Sequence, residues 1–258
     1  MFSYQSAEDL LNDKVILITG AGTGIGRVAA LTYARHGATV ILLGRNIKKL
    51  EAVYDEIEQN HWPMPAIYPL NLESARDADF VRLAETIEQE FGRLDGLLHN
   101  ASVLGVLKPI SQYPTSEWMQ IMQVNLNAVF MLTRELLPLL RQGDRASVIF
   151  TSSGVGHKGR AHWGAYSVSK FATEGLMQII ADEEDGISDV RINSVNPGGT
   201  RTAMRAAAFP GEDPDSLPTP EAIMPVYLYL MGDDSAHVSG QAFHAQVPGQ
   251  PSLATCTG

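Results

Sequence analysis

Apolar and polar positions change their period repeatedly along the chain, from short continuous apolar runs to longer stretches with helical spacing. The helical stretches repeat an apolar residue every three or four positions, as Leu50, Val53 and Ile57 do. Near-continuous apolar strands that alternate with helices are typical of a parallel sheet covered on both faces. The pattern therefore predicts an α/β fold with a doubly wound, mostly parallel sheet of about seven strands and helices on both faces. The predicted strands lie at 15–19, 38–43, 66–70, 94–98, 147–151, 190–195 and 241–245.

Nothing in this pattern divides the chain into separate folding units. No linker rich in Pro, Gly and Ser and no internal repeat interrupts it, so we expect residues 1–258 to form one domain. The longest irregular stretch lies near 200–220 and is typical of a lid or binding loop, so we expect it to be a substrate loop. Thr219 and Pro220 then indicate the N-cap and the first turn of a last helix.

Composition and charge narrow the classes of partner. The chain is 45% hydrophobic, enough for a sizeable core, and its formal net charge of −10 argues against a nucleic acid or an anionic membrane as partner. Cys256 is the only cysteine, which excludes an intramolecular disulfide and a thiolate metal site, and no His, Asp and Glu group has metal-ligand spacing. The N-terminus lacks a basic segment, and its first apolar run is too short for a signal peptide or a membrane span. We therefore expect a cytoplasmic protein with no metal.

A glycine-rich loop, ITGAGTGIG, follows the first predicted strand and opens a helix. Its glycines at positions 20, 24 and 26 permit a tight turn and a close approach of the backbone to a pyrophosphate, and the helix N-terminus presents amides to the anion. A glycine pattern alone is weak, because a methyltransferase loop has a similar one. The strand, turn and helix around it favour a dinucleotide.

The end of the second predicted strand bears on which dinucleotide binds. An acidic residue there would bind a free ribose 2′-hydroxyl, but this chain has Gly44 and Arg45. The guanidinium of Arg45 is a planar fork of donors that suits a phosphate. The position therefore predicts NADP as cofactor, with NADPH preferred over NADH. The alternative is that Arg45 only caps the loop or lies exposed on it and binds no phosphate.

Tyr166 and Lys170 stand four positions apart in a run of small residues, AYSVSK. Residues four apart in a helix lie on the same face. An ammonium beside a phenol favours the phenolate, so Lys170 should lower the pKa of Tyr166. Taken alone, the short pattern also fits a chance pair on a solvated helix.

Several further motifs occur in one order around this pair. They are HNAS at 99–102, VNLNA with Asn125, TSS with Ser153, and NPGGTRT at 196–202. Together with the glycine loop and the Tyr-Lys pair, this series resembles the single-domain branch of the short-chain dehydrogenase/reductase family over residues 12–246. Within that family the chain is most similar to the bacterial YciK-type oxidoreductases. The resemblance implies a Rossmann-type fold.

The resemblance also implies a role for each residue of a catalytic set. Tyr166 would be the general acid in reduction and the base in oxidation, and Lys170 would hold the nicotinamide ribose. Ser153, thirteen residues before Tyr166, would donate a hydrogen bond to the substrate oxygen. Asn125 would hold a water that links Lys170 to solvent.

The expected cofactor contacts follow from the same motifs and from the loop residues. They are Gly20, Thr23, Gly24, Ile25, Gly26, Arg45, Asn71, Leu72, Asn100, Ala101, Tyr166, Lys170, Pro197, Gly198, Thr200 and Thr202.

The chain departs from the family pattern at a few positions. His99 and Ser102 replace an asparagine and a glycine, and Asn71 stands where an aspartate is common. The family's late Asp-Gly-Gly is replaced by residues 246–248. A basic cluster, His157, Lys158, Arg160 and His162 beside Trp163, is either a pocket rim that favours an anionic or polar carbonyl compound or a solvated loop.

The sequence therefore predicts an oxidoreductase that transfers a hydride between NADP(H) and a small carbonyl or alcohol substrate. One alternative is a non-catalytic nucleotide-binding sensor or assembly protein on the same fold. A nucleotide-sugar epimerase is a third interpretation, but it would normally have a longer chain. Segments 117–140 and 164–181 are more apolar than one covered face needs, and the family pairs these helices, which implies a homodimer or homotetramer.

Overall fold

The computed structural model describes residues 1–247 and contains a sheet of seven parallel strands in the order β3-β2-β1-β4-β5-β6-β7. Every neighbouring pair of strands in this sheet is parallel, which confirms the predicted fold class. The order runs outward in both directions from β1 and β4. This is the doubly wound arrangement, in which a crevice opens where the strand order reverses. The strands are β1 Val15–Thr19, β2 Thr39–Gly44, β3 Ala66–Pro69, β4 Gly96–His99, β5 Ser147–Thr151, β6 Arg191–Asn196 and β7 Ala242–His244.

Helices cover both faces of the sheet. Alternate residues of β1 point to opposite faces: Ile16 and Ile18 pack against α1, α2 and α8, whereas Leu17 packs in the core formed by α3, α5 and α6. The helices are α1 Gly24–Arg35, α2 Ile47–Gln59, α3 Asp77–Phe91, α4 Thr115–Met122, α5 Ala128–Leu140, α6 Gly164–Glu184, α7 Ala203–Ala208 and α8 Met224–Met231. Within residues 1–247, no helix is both long and apolar enough to cross a membrane.

Two predicted helices differ in detail from those observed. The segment 117–140 is not one continuous α-helix, because a π-helical turn, Gln123–Asn127, separates α4 from α5. The last helix does not start with an α-helical turn at Thr219 and Pro220. A short 3₁₀ turn, Glu221–Ile223, comes first and leads into α8. Such turns are common at helix ends and leave no clear signature in the apolar pattern.

One hydroxyl group joins the ends of the two central strands. The Thr19 Oγ1 at the end of β1 accepts hydrogen bonds from the backbone N–H groups of Asn100 at 2.9 Å and Ala101 at 3.0 Å. It also donates to the carbonyl oxygen of Leu98 at 3.3 Å. The hydroxyl thus uses its donor and both acceptor positions. The loops that follow β1 and β4 are held together at the point where the crevice opens.

His99 ends β4 inside the core. Its ring stacks on Phe150 with 4.8 Å between centroids, and its Nε2 lies 2.8 Å from the Thr133 hydroxyl of α5. Burial, with a smaller contribution from the charge of Lys170, lowers the pKa of His99 to about 3. The imidazole is therefore neutral in the folded protein well below the pH at which a free histidine is protonated.

This burial predicts a specific loss of stability in acid. Between pH 7 and pH 5 the unfolded chain protonates His99 and the folded chain does not, so stability falls as the pH falls. A difference of several pH units between the two states corresponds to about 2 kcal/mol over this range. His99→Asn removes the titrating group. Between pH 7 and pH 5 we therefore expect the free energy of unfolding of this variant to fall by about 2 kcal/mol less than that of the wild type.

Urea unfolding at several pH values measures this difference. His61→Asn changes an exposed histidine and should keep the wild-type slope. If the free energy of unfolding depends on pH equally in the wild type and in His99→Asn, His99 takes up its proton over this pH range in the folded protein as well, and the prediction is wrong.

Candidate active site

A cleft of about 480 Å³ lies at the carboxyl ends of the strands, at the crevice between β1 and β4. Every predicted cofactor contact except Gly26 lines this cleft, as does Ser153. The residues on its wall are Gly20, Thr23, Gly24, Ile25, Arg45, Asn71, Leu72, Asn100, Ala101, Tyr166, Lys170, Pro197, Gly198, Thr200 and Thr202. The structure therefore brings together residues from six loops and from helix α6 that are distant in sequence.

The glycine loop has the geometry that a dinucleotide needs. Gly20 and Gly24 adopt positive φ angles of 69° and 54°, which favour glycine. Gly26 lies behind the wall of the cleft, where a Cβ would overlap the carbonyl oxygen of Gly20 and the side chain of Asn100. Its role is to let α1 pack closely against the loop. The first turn of α1 carries no acidic side chain, so nothing there repels a pyrophosphate.

Arg45 lies where the loop after β2 meets the loop after β3. Its side chain is 67% exposed, and one guanidinium nitrogen lies 3.9 Å from a carboxylate oxygen of Glu73. Glu73 lines the cleft as well, and sequence reasoning missed it because only the contact between the two loops brings it there. A phosphate at this end would meet an arginine that has a weak, solvent-screened competitor.

Tyr166 and Lys170 lie on the buried face of α6 at the floor of the cleft. Both residues are less than 10% exposed, and the Lys170 Nζ lies 5.6 Å from the centroid of the Tyr166 ring. The ammonium donates a hydrogen bond of 2.7 Å to the carbonyl oxygen of Thr151, at the end of β5. The Ser153 side chain, two residues beyond β5, lies next to the Tyr166 hydroxyl. These three side chains form a cluster around the phenol.

Burial dominates the pKa of both ionisable members of this cluster. It raises the pKa of Tyr166 to about 12, and the neighbouring Ser153 side chain opposes that rise. Burial also lowers the pKa of Lys170 to about 8, opposed by the negative charge of Glu174. The pKa of Tyr166 is therefore raised in the protein alone and not lowered as expected, because desolvation dominates and the opposing contribution comes from Ser153 and not from Lys170. In the protein by itself the phenol keeps its proton at neutral pH.

Asn125 occupies the π-helical turn between α4 and α5 rather than the wall of the cleft. Its side chain pairs with the backbone of Val103 in both directions, at 2.9 Å and 3.0 Å, and reaches the Ser169 hydroxyl at 3.1 Å. Since Val103 lines the cleft, Asn125 fixes the loop after β4 against α6. The water-holding role that the resemblance implies stays a prediction.

The basic cluster after Ser153 does not form a rim of the cleft. None of its four residues lines the cleft, whereas the neighbouring Trp163 does. The Arg160 guanidinium lies over the Phe209 ring at 5.6 Å, and His157 contacts Glu174 at 3.2 Å. Of the residues in this predicted rim, only Trp163 lines the cleft.

The segment 200–220 contributes α7 to the wall of the cleft. Met204, Arg205 and Ala208 of α7 line the wall. Arg205 makes two hydrogen bonds of 2.6 Å to Glu212, so its charge is paired within the segment. These contacts had no sequence signal, because the pairing joins residues on either side of an irregular bend.

The described part of the chain contains no group of three or more His, Cys, Asp or Glu side chains placed to hold a metal ion. Cys256 and Pro248 lie outside the described residues.

Comparison with known proteins agrees with this geometry. The sequence matches the short chain dehydrogenase family over residues 14–213. The chain belongs to the short-chain dehydrogenase family. A member from Escherichia coli K12, the uncharacterized oxidoreductase YciK, is 54% identical over 97% of this chain and 98% of its own length. The predicted YciK-type resemblance is therefore confirmed.

Solved structures of other short-chain dehydrogenases have the same fold. One from Pseudomonas syringae superposes with a TM-score of 0.94 at 58% identity and covers 95% of this chain and 100% of its own. Another, from Shigella flexneri 2a in complex with NADP, has a TM-score of 0.91 at 54% identity, with 93% and 100% covered. The chain is thus an oxidoreductase of this family.

Proposed function

We propose that this short-chain dehydrogenase transfers a hydride between NADP(H) and a small carbonyl or alcohol substrate. The observation that carries the proposal is the cluster of Ser153, Tyr166 and Lys170 on the floor of a cleft whose other end is the glycine loop. A nicotinamide cofactor would supply or accept the hydride. Family membership and the NADP in the Shigella flexneri structure support a nicotinamide cofactor here.

Each residue of the cluster has a part that its position supports. Tyr166 holds a proton in the resting protein and would donate it to the substrate oxygen during reduction. Ser153, whose side chain lies next to that phenol, would donate to the same oxygen. Lys170, whose ammonium is held by the Thr151 carbonyl, would supply a positive charge beside them and hold the ribose hydroxyls. The segment 200–220 would act as the substrate loop.

A non-catalytic nucleotide-binding protein on the same fold is the alternative. Such a protein needs the glycine loop but has no use for a buried phenol beside a serine and a lysine. The intact cluster therefore favours catalysis. We also propose that the protein works in the cytoplasm, and that neither nucleic acid nor a membrane is its partner, because its net charge is −10.

Tyr166→Phe should abolish turnover and leave cofactor binding nearly intact, because only the transferable proton is removed. Loss of a general acid or base typically lowers the rate by ~10²–10⁴. A panel of ketones, aldehydes and alcohols with NADPH and NADP, followed at the nicotinamide absorbance, measures the rate. Tyr113→Phe removes a hydroxyl outside the cleft wall and is the control. Near-normal turnover by Tyr166→Phe would remove Tyr166 from the mechanism, and bound cofactor without any turnover by the wild type would favour the alternative.

NADPH should bind more tightly than NADH, because Arg45 can pair with a 2′-phosphate. A charge-assisted contact of ~1.5–3 kcal/mol corresponds to roughly 10- to 150-fold discrimination. Arg45→Ala should lose most of this difference. Gly44→Asp should reverse it, and its new Cβ would lie 3.2 Å from the end of the flexible Leu50 side chain, which can move.

Fluorescence titration at moderate salt gives the two dissociation constants. Arg82→Ala, on the exposed face of α3, removes the same charge elsewhere and should change neither constant. Equal constants for NADPH and NADH in the wild type would show that this interpretation of Arg45 is wrong.

We also propose that the chain assembles into a homodimer or homotetramer through α4, α5 and α6. These helices expose five large apolar side chains, a concentration that a solvated face does not explain. The exposed side chains are Met119, Phe130, Val168, Phe171 and Ile179.

Light scattering at micromolar protein should give two or four times the chain mass of 28.0 kDa. Phe171→Arg places a charge among these exposed apolar side chains and should lower that mass. Ile110→Arg, at an exposed apolar residue outside these helices, should not. A monomer mass for the wild type would contradict the proposal.

A further inference from the structure

A buried carboxylate lies one helical turn beyond Lys170. Glu174 is 5% exposed on the same face of α6, where its two oxygens each lie 2.9 Å from the Ser194 hydroxyl of β6. The His157 Nε2 approaches Oε1 to 3.2 Å from the loop after β5. The carboxylate is therefore fixed in place from two sides by groups outside its own helix.

This carboxylate is not part of the cofactor cleft. Glu174, Ser194 and His157 are all absent from the wall of the cleft. Beyond His157 lies the ring of His244, 5.9 Å from it between centroids, and the Asn196 side chain holds His244 at 3.0 Å. The ionisable groups that face Glu174 are thus Lys170 on α6, His157 after β5 and His244 on β7.

The ammonium of Lys170 has a charge that its direct contact does not balance. The Thr151 carbonyl, at 2.7 Å, is neutral. Taking an ammonium out of water is costly unless an opposite charge lies near, because the attraction between charges is much stronger in a protein interior than in water. Glu174 is the acidic residue at the adjacent position of the same buried helix face, four residues on, where side chains of a helix are neighbours.

We propose that Glu174 is a positioning residue for the catalytic pair: its buried carboxylate, held by Ser194 and His157, keeps the Lys170 ammonium charged beside Tyr166. This rests on the proposed function, which gives Lys170 its part in the reaction. The direction of the Lys170 pKa agrees, since burial lowers it and Glu174 opposes that lowering.

A purely structural role is the alternative. In that case Glu174 would only fasten α6 to β6 through the Ser194 hydroxyl. Glu174→Gln separates the two roles, because the amide has the same size and can still accept a hydrogen bond from Ser194 but carries no charge. A structural role would leave the titration of Lys170 unchanged in this variant.

NMR titration of lysine side chains labelled with carbon-13 reads the Lys170 charge without cofactor or turnover. The chain has six lysines, and Lys170→Met identifies the signal that belongs to Lys170. In Glu174→Gln that signal should titrate about one pH unit lower than in the wild type, the usual effect of removing a nearby opposite charge. Glu183→Gln removes an exposed carboxylate from the same helix and is the matched control, with the wild-type titration expected.

Two further variants keep the test decisive. Glu174→Asp retains the charge, so the Lys170 signal of this variant should titrate at nearly the same pH as in the wild type. Glu174→Met removes the charge with an apolar side chain of similar length, and it replaces Glu174→Gln if that protein does not fold. An unchanged Lys170 titration in the charge-free variant would overturn the proposal.

The basic limb of the pH profile for carbonyl reduction gives a second readout. In Glu174→Gln it should move to lower pH by about the same interval, because Lys170 loses its proton earlier. If the wild type reduces no carbonyl compound while the NMR signal still shifts, the proposed function fails and the role of Glu174 stands. If the rate profile and the NMR signal both stay in place, the role of Glu174 fails and the proposed function stands.

Discussion

The Thr19 hydroxyl is the contact on which the geometry of the site depends most. A parallel sheet sends all of its strands toward one edge, and the two central strands must part there to leave a crevice. Their loops would be free to separate without a bond between them. Thr19 joins the loops with one donated and two accepted hydrogen bonds, and the close approach at Gly26 seats α1 against the same loop. The glycine-loop end of the cleft is therefore held by several contacts, whereas the segment 200–220 contributes a single short α-helix, α7, to the wall.

Burial acts in the same direction on both ionisable groups at the floor of the cleft, since it favours the neutral form of each. Burial therefore keeps the Tyr166 phenol protonated. It disfavours the charged form of Lys170, so the surroundings have to stabilise that charge. The same principle explains His99, which the core keeps neutral. The site thus combines a phenol that keeps its proton without support and a cation that needs support. Because of this contrast, the buried groups next to Lys170 outside the cleft, such as Glu174, matter as much to the site as the groups that line the cleft.

The family resemblance placed Ser153, whereas local patterns were enough to predict the sheet, the glycine loop and the shared helix face of Tyr166 and Lys170. Each of these depends on residues close together in sequence: apolar runs for strands, glycines at a tight turn, and a four-residue spacing on one helix face. The rest depends on contacts between distant segments. Glu73 reaches Arg45 only because β2 and β3 are neighbours, and His157 turns to Glu174 rather than to the cleft because α6 passes beneath its loop. The pKa of Tyr166 was predicted in the wrong direction because desolvation is a property of the whole surroundings and not of the nearest charge.

The π-helical turn that carries Asn125 has a consequence for changes in chain length. Such a turn holds one residue more than an α-helical turn, and one residue corresponds to about 100° of rotation around the helix. Deleting a residue within Gln123–Asn127 would restore a regular helix but would rotate α4 relative to α5. Either Asn125 would lose Val103, or the buried face of α4 would turn toward solvent. The bend between α5 and β5, by contrast, has exposed residues that can take up a change in length. The segment around Asn125 is thus more sensitive to the number of its residues than to the identity of most of them.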